Sequence, residues 1–142
     1  MKKAIFLVII SLALQGFSQV KTGVYKSDVS INFEWDKGVQ MGDPYVYDKP
    51  LLLHITTTGL RVYKKHSDTG RSYSMIYMGE DEDGYHIYAV PFGDRFEINS
   101  DDTAVLFYNF DNETGWYQNS IEYRDLEYIS NVPILDYEEE KE

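Results

Sequence analysis

The stretch from Val24 to Asp36 carries a period of two. Tyr25, Val29, Ile31, Phe33 and Trp35 fall on one side, with only Ser27 interrupting, while Lys26, Asp28, Ser30, Asn32, Glu34 and Asp36 fall on the other. Side chains alternate across a strand, so the pattern predicts one long strand with a buried face and a wet face. On this reading Val29, Ile31, Phe33 and Trp35 are buried, and Lys26, Asp28, Ser30 and Glu34 are exposed. An apolar face of that length needs a second sheet or a closed barrel to cover it.

The rest of the chain supplies short strand candidates separated by turn signals. They are Leu51–Thr57, Leu60–Lys65, Ser72–Met78, Tyr85–Val90, Arg95–Asn99, Thr103–Phe110 and Trp116–Arg124. In the second of these, Leu60, Val62 and Lys64 alternate with Arg61, Tyr63 and Lys65. Gly59 is either a turn or a bulge inside one bent strand, so seven or eight strands are compatible with the pattern. No segment has a sustained helical period. Short connections favour neighbours in sequence becoming neighbours in space. The expected fold is therefore all-β, an eight-stranded antiparallel meander closing into a small up-and-down barrel, with a two-sheet β-sandwich as the alternative. Closure pairs the start of the first strand with the end of the last, placing Tyr25 near Arg124.

Three segments are expected. Met1-Lys2-Lys3 and the apolar run Ala4–Leu14 precede Gly16-Phe17-Ser18, the pattern of a signal peptide over 1–18 cleaved before Gln19; the run is too short for a typical membrane span. Residues 19–130 form the β domain, and 131–142, with Pro133 and Glu138-Glu139-Glu140, form an acidic tail. The localisation that follows is periplasmic or extracellular, with no membrane span after cleavage.

Removing 1–18 takes Lys2 and Lys3 away and leaves 11 basic against 24 acidic side chains, a charge of −13. So large an acid excess excludes nucleic acid as a natural partner and suits a cationic protein. The chain has no cysteine, which excludes disulfides and thiol chemistry. All 13 tyrosines and both tryptophans lie beyond residue 18, an aromatic supply that serves β-surfaces and binding sites equally.

No catalytic pattern emerges. Glu80-Asp81-Glu82-Asp83 would begin a calcium loop at Asp81, but its sixth position is His86 where a glycine is required. His54, His66 and His86 have no metal-ligand spacing, and Asn112-Glu113-Thr114 is a formal glycosylation sequon in a turn. No metal, cofactor or catalytic residue is assigned. The connection 36–50, with Gly38, Gly42, Pro44 and Pro50 around Tyr45-Val46-Tyr47, reads as the longest loop and a candidate lid. Trp35 sits where the first strand meets it, so Trp35, Tyr45 and Tyr47 are the expected ligand-binding residues.

Gly23-Val24-Tyr25 opening a long first strand, the extended connection after it, and Arg124 ending a last strand resemble a lipocalin-type (calycin-type) barrel. That family opens with Gly-x-Trp and often stacks a late arginine over the tryptophan. This chain differs in having Tyr25 for the tryptophan, no disulfide and no helix after the barrel. The barrel reading, the aromatic lid loop and the tyrosine content, with the 1–18 pattern, lead to the expectation of an exported, non-enzymatic protein that holds a small apolar molecule or a glycan in an aromatic-lined interior. The alternative is a small acidic interaction module, an inhibitor or immunity-type partner of a basic protein. A hydrolase finds no support in the motifs.

Overall fold

The computed structural model describes residues 19–64 and 70–131. The expected signal peptide, residues 132–142 of the expected tail, and His66 lie outside them. The described residues contain only strands and turns, and every strand pair is antiparallel.

The opening alternation forms two strands, β1 (Gly23–Ser27) and β2 (Val29–Asp36). A two-residue turn follows, with Lys37 at φ 48° and Gly38 at φ 82°. Positive φ at both central residues is what a type I′ hairpin requires. β3 (Val39–Gln40) and β4 (Tyr45–Tyr47) both pair back onto β2, and β5 (Leu51–Ile55) then pairs with β1. The 36–50 segment is thus a returning strand with a short interruption, not the long loop expected. Lys-Gly is a weaker hairpin marker than Asn-Gly or Asp-Gly, and a three-residue strand is too short to show a period.

The remaining strands are β6 (Gly59–Tyr63), β7 (Gly70–Ser74), β8 (Ile76–Glu80), β9 (His86–Val90), β10 (Asp94–Ile98), β11 (Ala104–Tyr108), β12 (Asn119–Arg124) and β13 (Glu127–Ser130). Gly59 ends a hairpin turn, in which its carbonyl accepts the Thr56 amide at 2.9 Å, so it is not a bulge. The chain extends in strand form past Arg124, which the alternation did not reveal.

The ladders form two sheets, with no single closed ring. One runs β13-β1-β5-β6-β7, the other β3-β2-β12-β11-β10-β9-β8 with β4 also on β2. The chain passes between them at four places: Asp28 after β1, Asp48–Pro50 after β4, Met75 after β7, and Asp125–Leu126 after β12. Side chains from both sheets meet in one core that includes Tyr25, Leu53, Leu60, Met75, Tyr88, Phe96, Leu106 and Tyr123. Burying a side chain such as Phe96 contributes about 1.5–3 kcal/mol against leaving it in water. A smaller cluster of Val24, Leu52 and Tyr63 lies apart from that core.

The sheet change at Asp28 alters the phase of the opening stretch. Tyr25 and Ser27 point into the core side. One extra residue is then inserted, so that Ser30 and Asn32 continue the inner row beside Tyr123 and Ile121. Ile31, Phe33 and Trp35 take the opposite face and are half-buried, while Ser30 is buried. The expectation of a buried Val29-Ile31-Phe33-Trp35 row and an exposed Ser30 is therefore corrected. A one-residue shift exchanges every side chain between faces. The same insertion occurs on the neighbouring strand, where the inner residues Ile121 and Tyr123 are followed by Leu126 and Tyr128.

Candidate functional site

A pocket of about 260 Å³ opens where β2, β4, β5 and β12 come together, lined by Ser30, Asn32, Tyr45, Tyr47, Leu51, Lys64, Ile121 and Tyr123. The alternation of each strand explains the set. Ser30 pairs with Tyr47 on one side and Tyr123 on the other, and Asn32 pairs with Tyr45 and Ile121. Two rungs of the ladder on the same face, on either side of the Ile31 rung, thus put four aromatic or apolar side chains around two small polar ones. Tyr45 is 68% exposed and forms the rim, whereas Tyr123 is buried at 3%. Lys64, just beyond β6, places its Nζ 5.5 Å from the Tyr47 ring centroid, so a cation lies over a ring at the mouth.

Behind Tyr123 lies a group of three polar side chains. The hydroxyls of Tyr73 and Tyr108 are hydrogen-bonded at 2.9 Å. The Arg71 guanidinium lies against both, and hydrogen bonding to Tyr73, the nearer influence, raises its pKa. Burial, first, and the neighbouring Tyr73 push the Tyr108 hydroxyl well above the ordinary tyrosine range. Burial does the same to Tyr123, with Tyr108 and Tyr73 adding to it. The hydroxyls of Tyr108 and Tyr123 therefore stay protonated at physiological pH.

Of the residues expected to bind, Tyr45 and Tyr47 line this pocket. Trp35 is on the opposite face of β2, where its Nε1–H donates to the Ser120 hydroxyl at 2.9 Å. There it joins an aromatic group with Phe33, Tyr117, Phe107 and Phe110; Phe107 and Tyr117 have ring centroids 4.5 Å apart, and Phe110 stacks on Tyr117 at an interplanar angle of 8°. Arg95 covers Phe110 at 4.7 Å and pairs with Glu97. The expected Tyr25–Arg124 stack is not made. Tyr25 packs edge-on against Tyr128 and donates its hydroxyl to the Lys21 carbonyl, while Arg124 pairs with Glu122 at 2.8 Å. The aromatic partner of Tyr25 comes from β13, beyond the end expected for the last strand.

Ser30, Asn32, Leu51, Lys64, Ile121 and Tyr123 were not among the expected binding residues. For Lys64 a signal existed: it ends the apolar row Leu60-Val62-Lys64, an inner-face cation at a strand end. The acidic runs serve turns. Asp81 Oδ1 accepts the amides of Asp83 and Tyr85, and Asp111 Oδ1 those of Glu113 and Thr114. His86 Nδ1 bonds the Tyr77 hydroxyl at 3.0 Å, and His54 pairs across the ladder with Arg61, its pKa lowered by burial first and by that arginine second. The fold and site define a class no narrower than an all-β antiparallel protein with an aromatic-rimmed pocket. Comparison of the chain with protein-family models, with curated proteins and with solved structures finds no match.

Proposed function

We propose that this is an exported, non-enzymatic binding protein that takes a small molecule or a single sugar ring into the Tyr45–Tyr47–Tyr123 pocket. The pocket itself carries the reading: about 260 Å³, concave, ringed by aromatics with a few polar groups, and slightly below the ~300–1,000 Å³ of sites for drug-sized ligands. In this reading the two sheets work as one lipocalin-like barrel of eight bent strands. Supporting it, β12 and β13 pair with β2 and β1 in turn, and β7 continues into β8 across Met75. The 1–18 pattern supports export, and among the described residues no helix is long and apolar enough to cross a membrane.

The test is to fill the pocket. Ile121→Trp is expected to abolish binding of the neutral fluorescent probe N-phenylnaphthylamine, while Ile87→Trp on the other face of its sheet leaves it intact. Probe binding that survives Ile121→Trp overturns the reading.

A second reading, a docking surface for a protein partner, is favoured by the outer face of the larger sheet. Ile76 and Met78 are 66% and 65% exposed there, and Val46 and Trp116 are also open to solvent. A cationic partner would suit the acidic charge of the whole. Pull-down with a Met78→Lys, Val46→Lys double variant as the negative control tests it: loss of every captured partner supports the surface, and unchanged capture excludes it.

A further inference from the structure

We infer that the pocket selects an anionic ligand, an apolar or aromatic body carrying one carboxylate, sulfonate or similar group that is held at the Lys64 and Arg71 end. The inference rests on the pocket being the binding site. It starts from a contrast between the whole molecule and this one place. The chain carries 24 acidic against 13 basic side chains, yet none of the described residues lining the pocket is a carboxylate. The ion pairs among the described residues use Lys26, Arg95 and Arg124. Neither Lys64 nor Arg71 has a carboxylate within pairing distance there; their neighbours are tyrosines, Tyr47 for the lysine and Tyr73 and Tyr108 for the arginine.

Two cations set among phenols, with no carboxylate of the described residues beside them, suit an anion supplied from outside. The phenols are the right company for an anion. The Tyr123 hydroxyl, in the pocket lining and held protonated by burial, can meet a negative group only as a donor, and charge-assisted hydrogen bonds of this kind are roughly twice as strong as neutral ones. The other lining groups, Leu51, Ile121 and the ring faces of Tyr45 and Tyr47, suit an apolar body.

A matched pair of probes separates charge from shape. Anilinonaphthalene sulfonate and N-phenylnaphthylamine share one skeleton and differ in the sulfonate. Fluorescence titration of the protein at low salt is expected to show the sulfonate binding at least about tenfold tighter. Lys64→Gln and Arg71→Gln should each reduce that preference severalfold by weakening the sulfonate more than the neutral probe, with Arg95→Gln, on the opposite face, as the control that changes neither. Equal or weaker binding of the sulfonate overturns the inference while leaving the pocket intact as a site for neutral ligands. A preference that survives both substitutions also overturns it. Binding of neither probe, or binding indifferent to Ile121→Trp, overturns the pocket and the inference together.

Discussion

The Ser27 hydroxyl lies 2.8 Å from the carbonyl oxygen of Arg124, to which it donates, and 2.9 Å from that of Val29. The two residues are far apart in sequence and stand where neighbouring strands change sheet together. β1 gives way to β2 at Asp28, and β12 gives way to β13 at Asp125, a residue with φ 55°. Ser27 is buried at 1%, and its single O–H is shared between two carbonyls at the point where the strands bend.

Ser27→Ala is therefore expected to destabilise the protein by about 1–3 kcal/mol, since it removes the buried donor to the Arg124 and Val29 carbonyls at the bend. Urea unfolding measures it. A change within about 0.5 kcal/mol, the range of ordinary surface substitutions, would show that water or backbone adjustment replaces the bond.

The phase shift at Asp28 makes a second expectation. Phe96 is fully buried and Phe33 is only half-buried on the outer face. Phe96→Ala should cost about 3–5 kcal/mol as a cavity in the core. Phe33→Ala should cost clearly less. Equal costs in the same denaturation experiment would return Phe33 to the core and contradict the phase.

Tyr47 and Trp35 should separate in binding. Tyr47→Ala is expected to weaken N-phenylnaphthylamine by roughly 1–2 kcal/mol through loss of an aromatic wall. Trp35→Phe should leave it unchanged, because the indole faces Ser120 and Tyr117 on the other side of β2. Titration of the two variants against the same probe checks this; a larger loss from Trp35→Phe would move the site to the outer aromatic group.

Stability should fall in strong alkali. Burial raises the hydroxyl of Tyr25 to about 12, with Tyr128 next among the causes, and burial likewise raises Tyr88 to about 12. In the unfolded chain both ionise near the ordinary value of about 10. The folded state then binds more protons than the unfolded one between those values, so the stabilisation is whole below pH ~10 and is lost as pH rises toward about 12. The urea midpoint should hold from pH 7 to 9 and drop between about 10 and 12. Tyr88→Phe should flatten the drop, and a midpoint independent of pH in that window would show that these phenols ionise without unfolding.

The period of two over Val24–Asp36, the turn residues at short intervals and the lack of any helical period together specified an all-β antiparallel chain. Local sterics and patterning suffice for that, since each strand's alternation is a property of its own residues. Tyr45 and Tyr47 were legible as pocket candidates because they interrupt a breaker-rich stretch with aromatics. Which face of the opening strand looks inward was not legible beyond Ser27. That residue broke the alternation visibly, but only the sheet change at Asp28, and the matching change at Asp125 across the ladder, turned a break into an inserted residue. The pocket depended on the same event. Ser30 and Asn32 reached the inner row, and Trp35 left it, because two strands bend together around one hydroxyl, a contact between residues that no local window contains.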